Sequence, residues 1–355
     1  MNLTDSATDI RPGEGLDLAR VESFLKDSIP GLTGPLSLRQ FPSGFSNLTY
    51  LVKVGEREMI LRRPPHGTKA KTAHDMHREF KVLSALWPVF PYCPRPLAYT
   101  EDEAVMGCHF YVMERIKGVI IRRSLPPELR LGPDGLRRLT ERLVEVMAEL
   151  HAVDYQAAGL ADLGKPSGYV RRQVDGWSMR YRNARTPNVP DGEAVMRWLA
   201  QKMPPESQTA AIIHNDFKLD NVVLDPVDPL KIIGVLEWEM ATLGDPLMDL
   251  ACTLAYWVQA DDPPDLQASS YMITNLPGCL TRSEVVRLYG QKTGRVMDQM
   301  DFYYCFGLFR LVVIVQQIYY RFHHGQTQDQ RFAQLHRTVE ALLAQAGRLI
   351  EQSAL

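Results

Sequence analysis

Between Ile212 and Leu250 the chain reads IIHNDFKLDNVVLDPVDPLKIIGVLEWEMATLGDPLMDL, and no other stretch constrains the fold as strongly. Short apolar runs (Ile212 and Ile213; Val222 to Leu224; Ile232, Ile233, Val235 and Leu236) alternate with polar clusters, the pattern of short buried strands joined by loops. The first loop carries His214, Asp216, Lys218 and Asn221. The second pair of strands ends at Glu237 and Glu239, followed by Gly244, Asp245 and Asp249. An H-x-D-x-K-x-x-N order, then an acidic residue after an apolar strand, suits phosphoryl transfer from a nucleotide. That reaction needs a carboxylate to orient an attacking hydroxyl and accept its proton, and oxygen ligands to hold Mg²⁺ on the phosphates. Asp216 is the candidate base; Asn221 and a later carboxylate are candidate hard-oxygen ligands. Each residue alone reads equally well as a loop or turn cap. Their joint register behind apolar strands is what makes them a motif.

The segment HNDFKLDN…VLEWEMATLGDPLMDLA resembles the catalytic core of the aminoglycoside phosphotransferase family, within the protein-kinase-like fold. It is most similar to the branch whose members are also found joined to acyl-CoA dehydrogenase domains. The resemblance extends over nearly the whole chain after residue 20 and is strongest over 212–251. It implies an α+β, two-lobed fold with a flexible lead-in (1–16), an antiparallel-sheet N-lobe that binds nucleotide (17–115), and a mainly helical C-lobe with the catalytic loop and acceptor site (116–355). It implies ATP and Mg²⁺ as cofactors, Asp216 as base, Lys218 offsetting charge on the transferring group, and Asn221 and Glu237 as metal ligands. Asp249 resembles the family's buried Asp that fastens the catalytic loop. The family usually has Asp where this chain has Glu237, so either the backbone adjusts for the extra methylene or Glu239 shares the duty. A kinase-like third strand normally presents Lys to the phosphates, paired with a Glu on the next helix. Here those places fall to Arg62 and Glu79, and Arg can make bidentate phosphate contacts.

The N-terminal half supports this arrangement. Leu18, Val21, Phe24 and Leu25 have helical spacing behind a candidate N-cap, Asp17. Leu36 to Phe41, Leu48 to Val54 and Glu58 to Arg62 read as strands, the last followed by Arg63, which is expected to face solvent. The turn holding Ser43, Gly44, Ser46 and Asn47 sits where backbone N–H groups and hydroxyls could cover nucleotide phosphates, although an ordinary hairpin turn would look the same. After the helix carrying Glu79, HFYVMER (His109 to Arg115) reads as the last N-lobe strand and the hinge. Main-chain groups from Met113 through Glu114 to Arg115 would take the adenine there.

The C-terminal half reads as helical. Asp134 to His151, Pro246 to Tyr256, Ser283 to Tyr289, Asp301 to Phe322 and Thr327 to Ile350 are the expected helices. Gly168 to Arg185 interleaves Arg171, Arg172, Arg180, Arg182 and Arg185 with aromatics, and reads either as a binder of anionic acceptors or as a solvated helix face.

Charge and cysteine usage narrow the class. Forty Lys and Arg against 42 Asp and Glu leave a net charge of −2, which argues against a nucleic-acid partner. Five scattered cysteines without a C-x-x-C pair fit reduced thiols in a cytoplasmic protein. The longest apolar stretch, Phe302 to Ile318, is shorter than the roughly 20 residues a membrane span needs and reads as a buried helix. The N-terminus lacks the apolar centre of a signal peptide. Since no acidic excess favours a polycation and 171–185 is rich in Arg, the expected acceptor is a hydroxyl on a neutral or anionic small molecule; the resemblance to the acyl-CoA dehydrogenase-linked branch implies one such as a hydroxyacyl thioester. An aminoglycoside kinase and a catalytically inactive nucleotide-binding sensor or scaffold are the alternatives. Oligomeric state is not legible.

Overall fold

The computed structural model describes residues 4–42, 47–65, 75–206 and 209–355. Its strands are β1 (Leu36–Gln40), β2 (Leu48–Val54), β3 (Arg57–Arg63), β4 (Pro96–Thr100), β5 (Phe110–Glu114), β6 (Ala211–Ile213), β7 (Val222–Leu224), β8 (Ile232–Val235) and β9 (Thr242–Gly244). Its helices are α1 (Leu18–Ser28), α2 (Met76–Leu86), α3 (Glu103–Met106), α4 (Pro133–His151), α5 (Tyr169–Ala184), α6 (Glu193–Gln201), α7 (Pro246–Tyr256), α8 (Pro264–Ala268), α9 (Arg282–Thr293), α10 (Met300–His323) and α11 (Leu335–Gln352). The chain divides into two compact units, one of residues 1–120, 157–160 and 222–241, the other of 121–156, 161–221 and 242–355.

The first unit is built on an antiparallel sheet in the order β1-β2-β3-β5-β4. Alternation along β2 sends Tyr50, Val52 and Val54 to one face. There they pack with Met59, Leu61, Phe110 and Val112 against Val21 and Leu25 of α1. That helix starts where expected, the Asp17 carboxylate accepting from the Arg20 N–H. In the sheet's register Arg62 lies opposite Tyr111. β4 was not foreseen, since Pro94 and Pro96 argue against a strand; as an edge strand it tolerates the missing N–H.

Residues 4–16, read as a flexible lead-in, are bound to this sheet. Thr8 and Gln40 exchange both backbone hydrogen bonds (2.8 and 2.9 Å), and the Tyr50 hydroxyl donates to Glu14 O. Arg63, expected to face solvent, is buried. The β7–β8 hairpin also packs here, whereas the sequence reading ran the C-lobe unbroken from 116. Val119 and Leu224 exchange backbone hydrogen bonds, Val235 N–H donates to Tyr92 O (2.8 Å), and Trp238 meets Phe90 edge-on.

The second unit is organised around α10, which packs against α5, α6, α7 and α11. This is the helix expected over Asp301 to Phe322, and 78% of its most apolar window is buried inside the protein. α11 begins at Leu335 rather than at Thr327. Asp329 caps a separate 3-10 turn, Gln330–Phe332, which stops the helix from starting earlier. β6 and β9 pair antiparallel, one just before His214 and the other just before Asp245 in the chain.

Gly307, in the middle of α10, lets that helix approach α7 so closely that a Cβ would run into the Ala251 carbonyl oxygen. Helix propensity alone favours Ala over Gly by about 1 kcal/mol. The close approach reverses that sign, so Gly307→Ala should lower the urea midpoint. A raised midpoint would show that α7 and α10 have room to part.

Candidate active site

The second unit presents the motif loop on a buried frame. Asp249, on the first turns of α7, is fully buried, and its carboxylate accepts the backbone N–H of His214 (2.6 Å) and of Asn215 (2.7 Å). His151, at the end of α4, joins through Nε2 to Asp249 Oδ2 (3.1 Å), while its Nδ1 meets the Tyr289 hydroxyl (2.7 Å). Arg310 of α10 donates to Asn215 O (2.8 Å), and Thr253 of α7 donates to Phe217 O (2.7 Å). Asn215 takes a left-handed backbone, φ 64°, which Asn tolerates better than most residues. The loop is thereby turned so that Asp216 follows a rigid bend.

Burial works against the Asp249 charge, but the bond from His151, the nearby imidazoles and the backbone donors outweigh it and lower its pKa. Asp216 is partly exposed. Asn221 Nδ2 donates to both its backbone O and its Oδ2 (2.8 Å each), and Lys218 Nζ lies 3.3 Å from Oδ2. Oδ1 accepts no hydrogen bond among the described residues. Desolvation opposes the Lys218 charge, yet Tyr256, Asp216 and Asp220 hold its pKa above the ordinary value. Its ammonium also sits 4.8 Å from the Tyr256 ring centroid.

The first unit gathers a second set. Arg62, buried on β3, pairs with Glu237 Oε1 (2.8 Å) and approaches Glu239 Oε2 (3.5 Å) and Glu79 Oε2 (3.6 Å). Asn47 Nδ2 donates to Glu79 Oε1 (3.0 Å) and Glu239 Oε2 (2.8 Å), and the Tyr111 hydroxyl donates to Glu79 Oε2 (2.7 Å). Desolvation opposes the Arg62 charge, but Glu237, Tyr111, Glu79 and Glu239 keep its pKa well above normal. Burial raises that of Glu79. Glu237 has φ 66° and ψ 59°, a left-handed backbone uncommon for a residue other than glycine.

The expected site residues thus fall into two groups: Asp216, Lys218 and Asn221 in one unit, and Asn47, Arg62, Glu79, Glu237 and Glu239 in the other. Ser43, Gly44 and Ser46 lie outside the described residues. Met113 is buried in β5, paired with Ile60, and Glu114 N–H donates to Arg95 O. Arg115 follows the strand, and its side chain is engaged by Glu58 Oε2 (2.6 Å) and Asp5 O (2.7 Å). Three of the arginines of α5 turn to local partners. Arg172 bonds the carbonyls of Ser167 and Lys165, Arg182 pairs bidentately with Glu193 (2.8 Å each), and Arg180 lies over Trp177. These three fit the solvated-face reading of that helix.

Sequence reasoning missed His151, Tyr289, Thr253, Tyr256 and Asp220. It also passed over Arg310, although a charge inside an apolar helical run was a readable sign of a buried polar task.

The model of the phosphotransferase enzyme family matches residues 37–272. The chain belongs to this family. Acyl-CoA dehydrogenase family member 10 of Mus musculus is 34% identical over 337 residues, covering 94% of this chain and 30% of the relative. The phosphotransferase chain therefore spans less than a third of that protein. A solved structure from Ralstonia eutropha JMP134, provisionally named an aminoglycoside phosphotransferase, is 28% identical, with a TM-score of 0.82 and coverage of 96% of this chain and 100% of its own. A thermostable mutant of aminoglycoside phosphotransferase APH(4)-Ia, solved with AMP-PNP and hygromycin B, shares the fold at 16% identity (TM-score 0.59; 94% of this chain, 99% of the other). The fold is kinase-like, and the phosphotransferase is of the small-molecule type.

Replacing Asp249 tests the frame. Because its folded pKa is lowered, its contribution is present above the ordinary carboxylate pKa of about 3.9 and is lost as pH falls through the folded value. Asp249→Asn should cost about 2–5 kcal/mol at pH 7, a gap that narrows below about pH 4. Urea denaturation at pH 7 and pH 3 measures both.

Proposed function

We propose that this phosphotransferase moves the γ-phosphoryl group of ATP, with Mg²⁺, to a hydroxyl of a neutral or anionic small molecule, such as a hydroxyacyl thioester. The observation that carries the reading is the Asp216 carboxylate. Asn221 and Lys218 hold one of its oxygens and leave the other, Oδ1, for the acceptor hydroxyl. Asp216 would orient that hydroxyl and take its proton as the O–P bond forms, while Lys218 offsets negative charge on the transferring group. Catalysis of this kind rests on positioning and electrostatics, which the rigid loop supplies.

The residues fit a divalent cation. Asn221 spends its amide N–H groups on Asp216, so its Oδ1 remains an oxygen donor. Around Arg62 three carboxylates face one guanidinium, an excess of negative charge that a cation would offset. Asn221 and Glu237 are the ligands we assign, with Glu239 as the alternative to Glu237; Mg²⁺ takes such hard oxygens with only one or two carboxylates. When bound, the ion would neutralise charge on the nucleotide phosphates. AMP-PNP in the APH(4)-Ia complex supports a nucleotide donor, and the names of the curated relatives support an acyl thioester acceptor. The ammonium of Lys218 beside Asp216 speaks against a polycationic acceptor.

The contact of Arg62 with Glu237 favours one other reading, a protein that binds nucleotide without transferring phosphate. ADP release together with acceptor mass, measured over hydroxyacyl thioesters, hydroxy acids and aminoglycosides, separates the readings. Phosphorylated thioester supports the proposal, and bound nucleotide without product on any acceptor contradicts it. On the acceptor found, Asp216→Asn should lower turnover by roughly 10²- to 10⁴-fold and leave nucleotide affinity unchanged.

A further inference from the structure

The carboxylates around Arg62 do not share it equally. Its close ion pair, 2.8 Å, is to Glu237, while Glu239 and Glu79 stand at 3.5 and 3.6 Å, and Nε makes no hydrogen bond. Glu79, the partner expected from the sequence, takes its short contacts from the Tyr111 hydroxyl and the Asn47 amide instead. The two residues that depart from the family pattern, Arg in place of Lys and Glu in place of Asp, therefore meet each other. Glu237 stands on a left-handed backbone, which persists only where its surroundings over-determine it. Its side chain is 35% exposed, against 3% for Arg62. One oxygen is held from the buried side, and Oε2 accepts no hydrogen bond among the described residues.

We propose that Arg62 is a positioning residue for Glu237: it pins one carboxylate oxygen so that the other is presented to the metal ion, and it does not bind the nucleotide phosphates. The proposal rests on Glu237 being a metal ligand. It also explains how a carboxylate one methylene longer than usual serves there, since the backbone has turned and the guanidinium fixes the added torsion. A side chain that orients a ligand in this way acts on metal affinity rather than on nucleotide affinity.

The two roles separate in titrations of AMP-PNP binding, made in EDTA and across a Mg²⁺ series. Arg62→Lys keeps the buried charge but shortens the reach to Glu237. It should raise the Mg²⁺ concentration for half-maximal tightening by roughly tenfold and hold the dissociation constant in EDTA within about twofold. Weaker binding in EDTA with an unchanged Mg²⁺ requirement overturns the proposal and makes Arg62 a phosphate ligand. Should Arg62→Lys not fold, the charge-balanced pair Arg62→Gln with Glu237→Gln is compared with Glu237→Gln alone. Equal affinities in EDTA support the proposal, and weaker binding by the pair overturns it. A parent that binds AMP-PNP with no Mg²⁺ response overturns the metal-ligand reading of Glu237 itself. A parent that responds to Mg²⁺ alongside an indistinguishable Arg62→Lys overturns only the role given to Arg62.

Discussion

The carboxylate of Asp249 is the point on which the loop that begins at His214 depends. Two consecutive backbone N–H groups, those of His214 and Asn215, converge on it, and such donors buried without an acceptor would each cost about 1–3 kcal/mol. An ionised carboxylate suits two convergent donors better than any neutral side chain, because charge-assisted bonds are shorter and stronger. The same geometry makes a demand on the rest of the unit, since an uncompensated buried charge is far costlier than a missing hydrogen bond. His151 from α4 meets that demand, and Tyr289 from α9 orients the imidazole from its other side. Three helices distant in sequence are thus committed to one bend in the chain. The bend fixes where Asp216 stands.

The first unit solves a related problem by a different route. Arg62 cannot be buried on β3 without carboxylates, and carboxylates cannot be gathered there without Arg62. Asn47 and Tyr111 supply neutral donors, which relieves Glu79 of dependence on the guanidinium. Glu237 is then available to Arg62, and its left-handed backbone is the local strain that this arrangement sustains. Strain and charge fall together on Glu237, the residue we propose as a metal ligand.

Much of this was legible in the residues. The helical spacing over Asp134 to His151 and the Pro-led start at Pro246 gave α4 and α7 nearly to their ends, because long amphipathic patterns and caps are local signals. The loop from His214 to Asn221 was legible as a motif because its polar residues interrupt short apolar strands at fixed spacing. What escaped were partnerships across long separations. Nothing near His151 announces Asp249, and nothing near Tyr111 announces Glu79. The docking of residues 4–16 onto β1 was equally hidden, since a polar segment that pairs through its backbone carries no apolar pattern. Arg63 was misread because β3 is buried continuously from Met59 to Arg63, both faces being covered, so that no alternation sets one side chain to solvent.

The Asp249 carboxylate holds the His214–Asn215 bend as a fixed part of the folded core. Amide hydrogen exchange at His214 and Asn215 tests it most directly. Both amides should exchange as slowly as the most protected amides of α10, through global unfolding alone, and Asp249→Asn should bring their exchange forward while those of α10 follow only its global stability. Rapid exchange of His214 and Asn215 in the native parent, with α10 still protected, would contradict it.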